Sequence, residues 1–351
     1  MPKLSRTIAD LADSPNIPPA HLAEAILPAE AATMSDPAQT RPEEITIGGL
    51  SMATQTEFED VTPLLADPPA LRQRMDTDGF LFFRGLVPRG TLLDLRRQIL
   101  LICQRYGWLA TDTPLMDAII SPAAHRMEPW GGVGVTREAY ADIYRLEAFH
   151  RLGHHPAILG PLETLMDEPV LPHARNIARM MFPTAANAPT PPHQDYIHIQ
   201  GTQAVYTCWL PAGDCSQALG GLSLLRGSHK VGILPVRASE GAGGRAVILD
   251  GIEQDWVTGD FAAGDAVVFH SLTIHKSLPN QFPDRLRLSV DYRYQPVSLP
   301  IEQNSLLPHG DVLPWEDVYA GWPTDELKYY WRKYELTFQE FDRSLLEMRP
   351  G

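Results

Sequence analysis

The chain has 351 residues, of which 44% are hydrophobic, so it is long enough to bury a large core. Its formal net charge of −14 is opposite in sign to the basic surfaces that bind nucleic acid, which argues against that class of protein. No apolar run approaches the roughly 20 residues that span a bilayer, and the N-terminus lacks the apolar stretch of a signal peptide. The few cysteines, Cys103, Cys208 and Cys215, have no CxxC spacing. We therefore expect a cytoplasmic protein with no nucleic-acid or membrane partner.

The first part of the chain is predicted to contain an arm, a helix and a strand. Residues 1–55 are rich in Ala, Pro, Thr and Glu, a composition that favours a flexible or loosely packed arm. Leu71–Asp78 is predicted to form a short helix. The apolar run GFLFFRGLVP, over Gly79–Pro88, is predicted to form a buried strand that ends at its proline.

Two longer helices are predicted next. The one nearer the C-terminus lies within Ile158–Asp167, where Pro161 is compatible with a helix only in the first turn. The first has one apolar face, because its apolar residues recur at spacings of three and four: Leu92, Leu95, Ile99, Ile102 and Tyr106.

Beyond Arg175 the hydrophobic pattern changes from helical to strand-like. The segments RNIARMMFP, TQAVYTCWLP, GGLSLLRGSH, GDAVVFHS and RLRLSVDYRYQ are short and are separated by Gly, Pro, Asn and Asp. Such spacing favours an antiparallel sandwich or barrel over a parallel α/β sheet. No GxGxxG or P-loop motif occurs between a strand and a helix, so the sequence gives no sign of a nucleotide-binding fold.

The C-terminal part is predicted to return to helix over Thr324–Leu346. Four aromatic residues there have helical spacing and are expected to pack against the outside of the β domain: Trp331, Tyr334, Phe338 and Phe341. The chain is thus predicted to contain a β domain over residues 56–300. A helical extension over residues 301–351 is expected to pack on that same domain.

The segment PPHQDYIHIQGT places a histidine and an aspartate two residues apart. On a β-strand, His193 and Asp195 would project from one face toward a common point. His275, 80 positions after Asp195, follows a predicted strand and is the third candidate ligand. Two imidazoles and one carboxylate occupy one face of an octahedron and leave adjacent positions open, as in non-haem Fe(II) oxygenases. His270 is the alternative third ligand, although we favour a structural hydrogen bond for it.

Polar side chains that could bind a dicarboxylate follow His275 within twelve positions. A guanidinium can bind the distal carboxylate of 2-oxoglutarate through two parallel hydrogen bonds, which Lys cannot form. Arg285 and Arg287 are both candidates, and we prefer Arg287 because it lies further inside a strand with one polar face. That polar face is expected to line a cavity and contains Arg287, Ser289, Asp291 and Arg293. For Arg293 we favour a structural ion pair, with Asp291 as the candidate partner.

These segments resemble the phytanoyl-CoA dioxygenase family of Fe(II)- and 2-oxoglutarate-dependent enzymes. The resemblance spans Gly79–Pro296 and rests on HQDYIHIQGT, YTCWLPAGDC, GGLSLLRGSH, GDAVVFHS and RLRLSVDYRYQP, which occur in the family's order. It implies a mainly β fold, with a double-stranded β-helix (a cupin-like jelly roll) and flanking helices. Ser277 matches a hydroxyl that assists the keto-acid carboxylate, and Trp209 matches an aromatic residue at the cofactor pocket. The family's metal ligands match His193, Asp195 and His275.

The resemblance also implies an activity. The expected enzyme uses Fe(II), 2-oxoglutarate and O2, with ascorbate as a candidate reductant, and hydroxylates a small-molecule substrate with release of succinate and CO2. Asp195 favours hydroxylation over halogenation, because halogenating relatives have a small residue in place of this carboxylate. Desaturation, cyclisation and epimerisation use the same cofactors and stay open, as does a catalytically silent metal-binding jelly roll. The pattern predicts neither the identity of the substrate nor the oligomeric state.

Overall fold

The structure of the protein is a computed structural model that describes residues 56–252 and 255–347. The arm predicted over residues 1–55 lies outside the described residues. The α-helices are α1 (Pro68–Asp78), α2 (Arg89–Arg105), α3 (Arg137–Tyr144), α4 (Glu147–Gly153), α5 (Pro156–Met166), α6 (Tyr196–Ile199) and α7 (Trp315–Tyr319). Within the described ranges, none of the helices combines the length and apolar character required to cross a bilayer.

The strands outnumber the helices and form two main sheets and two small ones. The first half are β1 (Thr56–Glu57), β2 (Phe80–Phe83), β3 (Val170–Pro172), β4 (Ile177–Met181), β5 (Tyr206–Pro211), β6 (Leu222–Leu225) and β7 (Val236–Ala238). The second half are β8 (Arg245–Val247), β9 (Trp256–Thr258), β10 (Ala266–His270), β11 (His275–Ser277), β12 (Arg287–Pro296), β13 (Ile301–Glu302) and β14 (Phe338–Gln339). The predicted change to strands after residue 175 is confirmed.

The larger sheet has the order β2-β10-β5-β12-β3, and β4 also pairs with β12. All these pairs are antiparallel. Strand β12 has ten residues, and both of its faces are covered. Leu288, Val290 and Tyr292 point into the main hydrophobic cluster, whereas Arg287 and Arg293 line a cavity on the opposite face. The alternation predicted for this strand is therefore confirmed.

The smaller main sheet has the order β1-β9-β6-β11. Its apolar side chains and those of the larger sheet belong to one buried cluster, so the two sheets pack face to face. Leu224 of β6 and Val257 of β9 come from the smaller sheet, and Trp209, Val267 and Phe269 come from the larger one. The packed sheets leave the cavity between them at the end of this cluster.

Helices cover the outer face of the larger sheet. Helix α2 buries the predicted apolar stripe in the main cluster, beside the apolar face of β12. Burial of each leucine or isoleucine stabilises the fold by roughly 1.5–3 kcal/mol, so packing of the apolar face contributes more to the stability of this helix than its helix propensity does. The prediction for α5 was less accurate. This helix begins at Pro156, so Pro161 lies inside it and not in its first turn; buried Ile158 and Leu162 hold it against the core.

The long C-terminal helix predicted over Thr324–Leu346 is wrong. The segment contains a 3-10 turn at Tyr330–Lys333, strand β14 and a second 3-10 turn at Arg343–Leu346. Tyr329 has a φ of 51°, which a right-handed helix does not accommodate. Strand β14 then pairs with β13, so its backbone groups bond to a sheet. Trp331 packs in the main cluster as predicted, whereas Phe338 is 59% exposed.

Candidate metal centre

His193, Asp195 and His275 meet in the cavity between the two main sheets, called here the metal cavity. The two histidines form a β-bridge in which each backbone N–H donates to the other's carbonyl at 3.0 Å. Their ring centroids lie 4.1 Å apart. Nε2 of His193 and Nε2 of His275 lie 3.7 Å and 3.9 Å from Oδ1 of Asp195. All three side chains are buried, and one ligand atom from each lies within 4.8 Å of the others.

The local backbone differs from the continuous strand that the sequence suggested. His193 belongs to the β-bridge, but Asp195 has helical angles (φ −63°, ψ −32°) and directly precedes helix α6. The two side chains still meet, because the chain turns around the metal cavity between them. The same turn places His198 near the histidine ligand, with 6.5 Å between the centroids of the rings of His193 and His198. His198 therefore lies on a short helix after Asp195 and not on a continued strand.

Hydrogen bonds fix the tautomers of both histidines. Nδ1 of His193 lies 2.8 Å from the carbonyl oxygen of Pro191, and Nδ1 of His275 lies 2.9 Å from that of Thr273. A carbonyl oxygen only accepts, so in the neutral rings Nδ1 carries the hydrogen and Nε2 presents a lone pair toward Asp195. Burial lowers the pKa of His275 to about 3, so this ring is neutral near pH 7. Two neutral nitrogens and one carboxylate suit Fe(II).

Asp195 is held by two side chains that the sequence did not identify as its partners. Thr207 Oγ1 donates to Asp195 Oδ2 at 2.6 Å, and Nη2 of Arg293 lies 3.3 Å from the same oxygen. Burial tends to raise the pKa of Asp195, but Arg293 and the imidazoles outweigh it and hold the pKa well below its usual value. The carboxylate is therefore ionised, with Oδ2 anchored and Oδ1 directed at the histidines.

The ion pairs of the polar strand face also differ from expectation. We predicted a structural pair between Arg293 and Asp291. Instead Asp291 pairs with Arg179 at 3.0 Å, and Arg293 is available to Asp195. Thr207 lies directly opposite Arg293 in the pairing of β5 with β12, so both side chains project into the metal cavity. Only the register of these strands reveals the connection.

The structure brings three of the four predicted cofactor residues to the metal cavity: Trp209, Ser277 and Arg287. Arg287 is 2% exposed. Its Nη1 donates to Ser289 at 2.6 Å, while its Nε has no partner among the described residues. The Ser277 hydroxyl accepts a hydrogen bond from the backbone N–H of Thr190 at 2.7 Å, so its own hydrogen is free to be donated elsewhere.

Two sequence candidates lie apart from the metal cavity. Arg285 is exposed and its guanidinium lies 5.4 Å from the centre of the Phe282 ring, away from the triad. His270, the alternative third ligand, accepts a hydrogen bond at Nδ1 from the backbone N–H of Leu272 at 3.1 Å. Its ring also packs edge-on against Tyr206. These contacts give His270 the structural role that we favoured.

The chain is similar in sequence to two hydroxylases of known name. The 1-deoxypentalenic acid 11-beta-hydroxylase of Streptomyces exfoliatus is 29% identical over 273 residues, which cover 73% of this chain and 90% of that protein. The enzyme of the same name from Streptomyces arenae is 29% identical over 269 residues, with the same shares covered.

A solved structure of the epimerase SnoN with Fe3+, alpha ketoglutarate and nogalamycin RO is 22% identical, with a TM-score of 0.48. The match covers 67% of this chain and 86% of that one. EvdO2 of Micromonospora carbonacea var. aurantiaca, complexed with 2-oxoglutarate, is 18% identical with a TM-score of 0.45, over 67% of this chain and 92% of that one. The family described as phytanoyl-CoA dioxygenase (PhyH) matches residues 75–287, which is more than half of the chain. The protein therefore belongs to the phytanoyl-CoA dioxygenase family.

Proposed function

We propose that the protein is an Fe(II)- and 2-oxoglutarate-dependent dioxygenase that hydroxylates a small molecule and releases succinate and CO2. The observation that carries this proposal is the convergence of His193, Asp195 and His275 beside buried Arg287, which forms no ion pair with a carboxylate of the described residues. The family match supports the same chemistry. Two curated relatives that are named as hydroxylases of an organic acid support hydroxylation as the outcome.

The triad fits an iron ion by its donor atoms. His193 and His275 would bind through Nε2, because their Nδ1 atoms are committed to backbone carbonyls, and Asp195 would bind through Oδ1. Bound iron and 2-oxoglutarate supply the chemistry that activates O2 and oxidises a C–H bond of the substrate. Thr207 and Arg293 hold Asp195 in the orientation and charge state that a metal ligand needs.

Arg287 is the residue that we assign to the distal carboxylate of 2-oxoglutarate. A buried guanidinium that lacks a counter-ion costs several kcal/mol, so this side chain favours an anionic ligand in the metal cavity. Ser277 can donate its free hydrogen to the same carboxylate, and buried Trp209 forms part of the cavity wall. Arg285 is exposed and does not line the metal cavity, which favours Arg287 as the anchor.

We also propose that the two main sheets form a double-stranded β-helix. Antiparallel pairing within the larger sheet and the apolar cluster common to both sheets support this fold. We assign residues 56–300 to this domain and residues 301–351 to a C-terminal extension. The described part of the extension contributes Trp315 and Trp331 to the main cluster, which supports its packing on the same domain. The three cysteines are free and buried, which supports a cytoplasmic location. The acidic net charge supports a small-molecule substrate and no nucleic-acid partner.

The proposal is tested by measuring succinate formed from 2-oxoglutarate under O2, with and without added Fe(II) and ascorbate. We expect succinate release to require 2-oxoglutarate, O2 and Fe(II), and to be lost in His275→Ala but retained in His270→Ala. Equal turnover with Zn(II) in place of Fe(II) would contradict an oxygenase. So would iron binding without any consumption of 2-oxoglutarate.

A further inference from the structure

A second cavity of about 680 Å³ lies beside helix α6, and three arginines line it. Arg175 lies between β3 and β4, Arg245 begins β8, and Arg343 lies in the last 3-10 turn. We call this space the arginine cavity. Among the residues that line this cavity, Glu347 carries a carboxylate, and its side chain is exposed. The cavity is therefore locally cationic in a chain whose net charge is −14.

The arginines of this cavity have no carboxylate partner among the described residues. Arg175 makes no side-chain hydrogen bond or ion pair with them, and its Nε is buried without a partner. Burial lowers the pKa of Arg175 and the nearby cation Arg293 lowers it further, while the more distant carboxylates of Glu302 and Asp311 oppose this shift without forming an ion pair. Arg245 donates only to backbone carbonyls, those of Leu346 and Gly244, each at 3.0 Å. An uncompensated guanidinium is costly, so this arrangement favours an anion from outside the described chain.

The arginine cavity is adjacent to the metal centre. His198 lines it, and the ring of His198 lies 6.5 Å from that of the candidate ligand His193. The Nε2 atom of His198 is buried and has no hydrogen-bond partner within the described ranges. Arg293, whose positive charge lowers the pKa of Arg175, has its Nη2 atom 3.3 Å from Oδ2 of Asp195. The two cavities thus adjoin at His198, between the arginines and the triad.

The outer wall of the arginine cavity is fixed in place. The side-chain oxygen of Gln200 accepts from the backbone N–H of Asp342 at 2.6 Å, and its amide donates to the carbonyl of the same residue at 2.9 Å. Arg245 holds the carbonyl of Leu346. Phe341 and Leu346 add apolar surface to the lining. The lining of the cavity thus contains both cationic side chains and apolar side chains that can contact the hydrocarbon part of a ligand.

We propose that the arginine cavity binds the anionic group of the substrate, a carboxylate or a phosphate, with Arg175 and Arg245 as its main partners. Guanidinium groups bind both kinds of anion through paired, charged hydrogen bonds. The substrate is thus an amphipathic organic anion whose apolar part reaches the metal centre. This inference rests on the proposed function, and it leaves Arg287 to 2-oxoglutarate in the metal cavity.

The test uses three probes with the same hydrocarbon chain: decanoate, decyl phosphate and decanol. Each is titrated calorimetrically into the full-length protein without O2, with Fe(II) and saturating 2-oxoglutarate present so that Arg287 is occupied. We expect at least one anion to bind more tightly than decanol. The tighter of the two anions identifies a carboxylate or a phosphate as the natural group.

The deciding variant is Arg175→Gln, with Arg237→Gln as the matched control. Arg237 is an exposed residue of β7, on the strand that pairs with β8, so its substitution removes the same charge outside the cavity. Loss of a hydrogen bond to a charged group corresponds to a factor of about ten to a hundred, which we expect for anion affinity in Arg175→Gln. Arg237→Gln should change it less than about twofold. Arg175→Lys should recover part of the loss.

Arg175→Gln is also expected to fold normally, because the guanidinium of Arg175 makes no hydrogen bond or ion pair with the part of the chain that the structure describes. Thermal unfolding of the variant should be unchanged or shifted upward. Decanol binding as tightly as both anions, or equal losses in the Arg175 and Arg237 variants, would overturn the inference. Failure of the proposed function is read separately, from 2-oxoglutarate and Fe(II) binding to the wild type in the same cell.

Discussion

The metal cavity and the arginine cavity lie side by side but are built in different ways. The metal cavity is formed by paired strands, and its aspartates are matched with arginines, Asp195 with Arg293 and Asp291 with Arg179. The arginine cavity is formed by a turn, a strand end and the C-terminal segment, and its arginines are not matched with carboxylates among the described residues. A rigid sheet holds reactive groups more accurately than loops do. The difference suggests a cofactor site of fixed geometry beside a substrate site that loops can vary.

The largest effect is expected at the triad. Asp195→Ala removes a charged ligand from the metal cavity, so Fe(II) affinity should fall by more than about a hundredfold, beyond the loss for an outer-shell partner. The substitution also leaves buried Arg293 without its carboxylate partner, so the thermal unfolding temperature should fall as well. Iron content after dialysis and a thermal scan on the same sample measure both quantities. His270→Ala is the matched control, and full iron occupancy in Asp195→Ala would reject the ligand assignment.

Arg287 should give the next largest effect. Loss of one partner of a buried charge pair costs roughly 3–5 kcal/mol, so Arg287→Ala should weaken 2-oxoglutarate binding by about a hundredfold or more. Arg285→Ala should weaken it less than about fivefold, because this arginine is exposed. Titration of 2-oxoglutarate with the metal present distinguishes the two. A large loss of 2-oxoglutarate affinity in Arg285→Ala alone would show that Arg285, and not Arg287, binds the distal carboxylate.

A substitution at Thr207 tests whether the hydrogen bonds that hold Asp195 increase the affinity of the site for the metal. Thr207→Val keeps the shape of the side chain but removes the hydroxyl that donates to Asp195 at 2.6 Å. Loss of such an outer-shell partner typically lowers metal affinity by about 10–100-fold. Competition with a chelator measures this affinity. Thr77→Val, which removes a hydroxyl on the exposed face of α1, should leave it unchanged; equal effects in both variants would contradict a positioning role for Thr207.

The smallest effect is expected at the rim of the arginine cavity. Arg343 is exposed, so Arg343→Gln should weaken decanoate or decyl phosphate binding less than about fivefold. Calorimetric titration beside Arg175→Gln would show the gradient in anion affinity from the half-buried arginine to the exposed one. A loss at Arg343 larger than that at Arg175 would show that the anion binds at the surface and not within the cavity.

The sequence by itself determined the features that depend on short-range spacing between residues. The apolar stripe of α2, the alternating faces of β12 and the pairing of His193 with Asp195 all follow from spacings of two, three or four residues. His275 was added from its place after a predicted strand and from the family resemblance. Such spacings report which side chains share a face of one element. They gave Arg287 and Arg285 the same parity, and so left the choice of anchor open. They also suggested a long C-terminal helix, which the left-handed Tyr329 and the pairing of β14 replace.

Only the tertiary structure decided which distant segments meet. The register of β5 against β12 places Thr207 beside Arg293, and the turn after His193 brings both to Asp195. The start of β12 buries Arg287, while Arg285, two residues earlier, stays at the surface. The arginine cavity joins residues 175, 245 and 343, which no sequence spacing connects. Periodicity records neighbours within an element, whereas contacts between elements depend on strand register and chain reversals that short-range patterns do not encode.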